Sequence, residues 1–265
     1  MDCKLNITAG YRAGKSYMKD VFVSPPFRVV PVGQTMSDDA AYLMVMSSSP
    51  GILDGDHYDL MVQVEENAQL QLQSQSYQRL FTMVGGASQL MRVALADHSA
   101  FSYVPHPIVP HTDSTFKGIT RVEMGEDCSL LMSEIITCGR KHHGEVFRFT
   151  HFQNLIEVRH RNRLILKDNV LLQPDLMQLG SLGQLEGYTH QGTLIYINTQ
   201  KQPVEELIEH FYEMLDAEKD MQCGISRIQH DGFVVRCLGN GGEQIYNCFQ
   251  RIQNFIWEEQ HILAS

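Results

Sequence analysis

Apolar and polar residues alternate with a period of two over most of the first two hundred positions. The clearest stretch runs from Ala68 to Tyr77, where Leu70 and Leu72 sit between Gln69, Gln71 and Gln73 and are followed by Ser74, Gln75 and Ser76. Period two sends successive side chains to opposite faces of a strand, a pattern no helix keeps on one face. The same signal predicts strands at 27–32, 42–47, 58–65, 89–96, 99–104, 119–124, 130–137, 145–150 and 155–160, each bounded by Gly, Pro, Asp, Asn or Ser. From Lys4 to about Asn198 the expected fold class is therefore mainly β.

Within this region a unit recurs. Val62, Val64, Asn67, Ala68, Leu70 and Leu72 correspond to Val93, Leu95, His98, Ser99, Phe101 and Tyr103. They correspond again to Val122, Met124, Asp127, Cys128, Leu130 and Met132. Each copy reads as strand, polar corner, small residue, strand. A unit of this size cannot cover its own apolar face, so the copies must stack. The expected architecture is a two-layered β-helix-like (solenoid) stack of short strands, with a plain antiparallel sandwich as the alternative.

The period then changes. Pro203 at a first helical position leads into Val204, Leu207, Ile208, Phe211, Tyr212 and Leu215, an amphipathic stripe with Glu205 and Glu206 in the first turn, where the helix dipole favours acids. Residues 225–229 and 233–238 flank His230, Asp231 and Gly232 as a hairpin signal. Ile245, Phe249, Ile252 and Ile256 mark a second helix starting near Gly242. The expectation is a body over 1–200 and a helix-hairpin-helix cap over 201–265, packed together as one domain.

Composition narrows the function classes. The 265 residues are 43% hydrophobic and 20% charged, with 21 Lys and Arg against 31 Asp and Glu, a formal net charge of −10. That charge disfavours nucleic acid and anionic membranes as partners. No stretch approaches the roughly 18 apolar residues of a membrane span, so a cytoplasmic protein is expected. Six cysteines without a C-x-x-C pair suggest reduced, mostly buried thiols.

Gly10-Tyr11-Arg12-Ala13-Gly14-Lys15-Ser16 is one residue short of a phosphate-binding loop and leads into a further strand, which favours a glycine hairpin. Hydrolase, zinc-protease and dinucleotide signatures are absent from the sequence, so no catalytic role is assigned. Among twelve histidines, His106 and His111 in a proline-rich connection and the pair His142 and His143 are the best ligand candidates. They lack the spacing of a metal cage and are expected in exposed loops. Glu134 is more informative, because it continues the inward apolar face of Leu130 and Met132. In-register stacking would bring Ser74, Ser76 and His106 to the same neighbourhood. An acid on an inward face needs a partner and serves pairing, ion handling or chemistry; a structural ion pair with Arg140 is the competing explanation.

Read together, several segments resemble the urease accessory protein D family, called H in some bacteria. They are Ser49-Pro50-Gly51-Ile52-Leu53-Asp54-Gly55-Asp56, the strand from Ala68 to Arg79, and above all the run Glu134-Ile135-Ile136-Thr137-Cys138-Gly139-Arg140 continued by Gly144-Glu145 and Phe147. Order and spacing hold from about residue 20 to 198; the C-terminal part matches in layout. The glycine segment is one residue shorter than the family's, and His106 stands where a Gln is common. The resemblance implies a non-catalytic chaperone and scaffold that bridges accessory protein F and the GTPase G to apo-urease for nickel insertion. It also implies an internal passage that offers nickel a route, with no permanently bound cofactor. Carried over residue by residue, the passage positions are Asp56, Ser76, Glu134 and Asp168. Spaced carboxylates, hydroxyls and waters would bind Ni²⁺ weakly enough to release it. A rival from another class is a polysaccharide-acting solenoid enzyme, which needs an aromatic-lined cleft with two exposed carboxylates about 5–10 Å apart. A metal-storage protein would need a His or Cys cage.

Overall fold

The alternating positions resolve into two β-sheets. The computed structural model describes residues 1–33, 36, 38–200, 204–228 and 231–262. In chain order the strands are β1 (Asp2–Arg12), β2 (Lys15–Val23), β3 (Phe27–Pro31), β4 (Ala41–Ser47), β5 (His57–Val64), β6 (Gln69–Ser74), β7 (Gln78–Leu80), β8 (Ala87–Leu95) and β9 (Ala100–Tyr103). They continue with β10 (Ile108–Pro110), β11 (Thr115–Met124), β12 (Ser129–Thr137), β13 (His151–His160), β14 (Arg163–Leu172), β15 (His190–Asn198), β16 (Met221–Arg227) and β17 (Gly232–Gly239). Two α-helices, α1 (Glu205–Asp216) and α2 (Gly242–Ile262), and a short 3-10 turn complete the described elements.

The first sheet has the order β14-β13-β11-β8-β5-β1-β2, and the second the order β16-β17-β15-β12-β9-β6-β4-β3. Neighbours β1, β5, β8, β11 and β13 run parallel, as do β4, β6, β9 and β12, while antiparallel strands close both ends of each sheet.

The recurring unit of the sequence is matched residue for residue by the pairing. Val62 lies opposite Val93 and Val93 opposite Val122, while across the corner Leu70 pairs with Phe101 and Phe101 with Leu130. The corners explain the residue types. Asn67, His98 and Asp127 all have φ between 52° and 62°, a left-handed conformation that favours Asn, Asp and His among residues with a side chain. The N–H of Asn67 donates to Asp97 O, and that of His98 to Glu126 O, so each corner is bonded to the next copy. The small residues that follow, Ala68, Ser99 and Cys128, are completely buried beneath. Inward side chains of both sheets, including Leu5, Val62, Val93, Val122, Leu70, Phe101 and Leu130, meet in one apolar cluster.

Several expectations need correction. The strand expected from Ala68 to Tyr77 breaks after Ser74, and pairing resumes only at Gln78. Residues 145–150 form no strand. A 3-10 turn (Lys141–His143) is followed by loop in which Glu145 N–H donates to Arg140 O, Phe147 N–H to Cys138 O and Thr150 N–H to Ser114 O, with Phe147 at φ 52°. Strand β15 showed no alternation because both of its faces are covered, by the first sheet on one side and α2 on the other. The Gly10–Ser16 segment is the hairpin of β1 and β2, closed by Ala13 and Gly14 at positive φ, as a two-residue turn requires.

In the C-terminal part, Pro203, Gln229 and His230 lie outside the described residues. Strand β17 pairs with β15, so the β16–β17 hairpin extends the second sheet. On α1, Phe211 and Leu215 are buried, but Tyr212 is exposed. Helix α2 packs on β15 where Gly192 leaves room: a Cβ there would stand 2.5 Å from Ile245 Cγ2 and 2.9 Å from Phe249 Cζ. Gly192→Ala is therefore expected to cost about 1–3 kcal/mol in urea unfolding through overpacking. Gly224→Ala on β16, where a Cβ meets nothing within 4 Å, should stay within about 0.5 kcal/mol. Equal effects of the two substitutions would contradict this docking.

Candidate functional site

Inward positions along the stacked strands are apolar near the corners and polar further on. On β8, Leu95, Val93 and Met91 give way to Gln89; on β11, Met124 and Val122 give way to Thr120 and Gly118; on β13, Val158 and Ile156 give way to Asn154. Facing them in the second sheet, Leu70 and Leu72 lead to Ser74, and Leu130 and Met132 lead to Glu134. Still further along, Ala87, Phe116, Phe152 and Ile136 join a second apolar cluster. The polar layer is thus held between two apolar ones, and it surrounds a cavity of about 180 Å³. That is room for several waters, since one needs roughly 10–15 Å³ of such space.

Ser74, Ser76, His106 and Glu134 all line this cavity, along with Gln78, Gln89, Thr120 and Asn154. Ser76, in the break after β6, is exposed, as are Gln75 and Pro50 on the rim, whereas Glu134 is only 7% exposed. The cavity therefore runs from solvent to a buried carboxyl.

Glu134 does not pair with Arg140, which is bonded to Glu145 instead. Its Oε2 accepts a hydrogen bond from the Asn154 side-chain amide across the gap between the sheets. Gly118 permits this, because a Cβ there would come within 2.3 Å of Asn154 Oδ1. Burial first, and then the nearby charge of Asp168, push the Glu134 carboxyl up to about 8. It is accordingly neutral at pH 7. Asp168 does not line the cavity; on β14 it is bound to Arg236, whose other nitrogen donates to Thr193, the strand neighbour of Glu134. Asp56 is also outside the lining residues. It is buried, accepts from Leu53 N–H at 2.9 Å and lies 3.2 Å from the Met1 ammonium.

The histidines separate by environment. His106 is half-buried; its backbone N–H donates to Ser74 Oγ, its Nδ1 lies 3.0 Å from the same oxygen, and its ring stacks on Tyr246 of α2 at 4.4 Å. Burial holds it below its ordinary value and hence neutral. His111, expected in an exposed loop, is buried against Phe81. His142 and His143 are exposed in the 3-10 turn. Among the described residues, no group of three or more His, Cys, Asp or Glu side chains is arranged to hold a metal ion.

Comparison with known proteins decides the family. The model of the UreD urease accessory protein family matches residues 2–264. The urease accessory protein UreD of Flavobacterium johnsoniae is 55% identical over 254 residues, covering 96% of this chain and 92% of that protein. The UreD proteins of Actinobacillus pleuropneumoniae serotype 3 and Acetivibrio thermocellus are each 34% identical, covering 94% and 97% of this chain and 95% and 97% of theirs. The chain belongs to the UreD family. The run from Glu134 to Phe147 that carries the resemblance is spatially a buried acid at one end and a self-closed loop at the other. In that loop Gly139 at φ 115° and Gly144 at φ 78° turn the chain so that Arg140 and Glu145 can pair.

Reading the sequence did not single out Asn154, Gln89, Thr120 or Tyr246. The signal for the first three was present, namely a polar residue on the inward phase of an alternating strand at the register of Glu134. Tyr246 had none, because its approach depends on how α2 docks.

A carboxyl with a folded value near 8 and an unfolded value near 4.5 makes the native state bind the extra proton between those pH values. Its contribution is then fully retained below about pH 4.5 and lost as pH rises through 8. Relative to Glu134→Gln, whose neutral amide can still accept from Asn154, the wild-type chain should lose on the order of 3 kcal/mol between pH 5 and pH 8. Parallel stability curves in urea titrations across that range would contradict the burial of this acid.

Proposed function

We propose that this chain is a non-catalytic scaffold of urease maturation. In this reading it holds accessory protein F and the GTPase G to apo-urease in the cytoplasm and offers nickel an internal route. The body acts as a short β-helix-like stack whose polar layer is the route. Family membership supports the maturation role. The observation that carries the route is the solvent-connected cavity between exposed Ser76 and buried Glu134.

The chemistry suits transit. A neutral Glu134 costs less to bury than a carboxylate, and an arriving divalent cation displaces its proton, since a metal ligand must be ionised. Serine hydroxyls, amide oxygens of Gln and Asn, and water complete a hard, weak donor set from which Ni²⁺ can leave. Asp168 and Asp56 serve as outer stations, each having to exchange its present cation, Arg236 or the Met1 ammonium, for the metal. No such support exists for the polysaccharide-acting reading: Trp257 is buried and donates to Tyr42 Oη, and the cavity's carboxylate is enclosed rather than exposed.

Two experiments test this. Co-expressed with accessory protein F, the chain should co-elute with it in size-exclusion chromatography; separate elution as folded species would remove the scaffold role. Glu134→Ala should leave assembly intact and reduce urease activation by roughly tenfold or more, the scale of losing a metal-handling group. Loss of assembly would make Glu134 structural, and full activation would remove it from the route.

A further inference from the structure

Three of the six cysteines converge at the edge of the second sheet, away from the cavity. Cys223 on β16 and Cys237 on β17 are directly opposed in antiparallel register, with their sulfurs 2.8 Å apart. Residues opposed in this way lie about 4.5–5.5 Å apart at Cα, within the span a disulfide bridges. A third thiol, Cys248 of α2, lies against Cys237 in the same apolar cluster. Cys237 and Cys248 are buried, whereas Cys223 is half-buried on the outermost strand of its sheet, within reach of a small solute.

We propose that Cys223 and Cys237 form a peroxide-sensitive pair that closes to a cross-strand disulfide and staples β16 to β17. Cys223, giving up its thiol proton, attacks hydrogen peroxide; an S–O bond forms, the O–O bond breaks, and the hydroxide released takes up that proton to leave as water, giving a sulfenic acid. Cys237 then attacks that sulfur, the S–S bond forms, the S–O bond breaks, and hydroxide takes up the Cys237 proton to leave as a second water. Two thiols are oxidised and one peroxide is reduced. Hydrogen bonding from Cys237, with Arg251 beside it, holds the Cys248 thiol below its ordinary value. Hydrogen bonding to Cys223 and Cys248 and burial hold Cys237 above its own. The Cys237 thiol therefore keeps its proton until the hydroxide leaving the Cys223 sulfur takes it.

The test uses the purified full chain, treated with a small excess of hydrogen peroxide, alkylated and digested without reduction. Mass spectrometry should find the Cys223 and Cys237 peptides linked. The free-thiol count in denaturant should fall from six to four, and dithiothreitol should restore it. A Cys237–Cys248 link, an intermolecular Cys223 link, irreversible over-oxidation of Cys223, or an unchanged thiol count would each overturn the pairing.

Discussion

The hydrogen bond between Asn154 and Glu134 is the contact on which the account of this molecule rests. It spans the gap between the two sheets at the level of the polar layer, with apolar clusters above and below. An ionised carboxylate in that layer would be prohibitively costly, so the group stays protonated, takes one amide partner and borders a cavity. The layer exists because neighbouring strands pair in parallel and in register. A polar residue at the same inward position of several strands then becomes a polar plane across the body.

That register is set at the corners. A left-handed residue followed by a small buried one recurs in three copies, and the N–H groups of Asn67 and His98 are each satisfied by the neighbouring copy. A one-residue slip would move every inward side chain outward and scatter the polar layer. Stability and site are thus consequences of one pattern: the alternation that builds the apolar clusters also fixes where the exceptions to it must meet.

Much of this was legible in the residues. Alternation and the recurring unit indicate the β body and which positions pair, and they bring Ser74, Ser76, His106 and Glu134 together. What was not legible depended on contacts between distant segments. The partner of Glu134 is Asn154 rather than Arg140, because Arg140 is captured by Glu145. His111 is buried although its proline-rich surroundings suggested exposure. The loop over 145–150 alternates like a strand, but its backbone groups are spent on the turn before it and on Asp113 and Ser114. Asp56 and Asp168, assigned from the family resemblance, stand apart from the cavity wall with ion-pair partners that sequence cannot reveal.

The most direct test of an internal route blocks it sterically without touching its charge. Ser76→Phe at the exposed mouth would obstruct the cavity while leaving Glu134 and the sheets in place. In cells carrying the complete maturation set, the nickel content of purified urease should fall severalfold with this substitution, while the accessory complex still assembles. Urease fully loaded with nickel behind a blocked mouth would contradict the account.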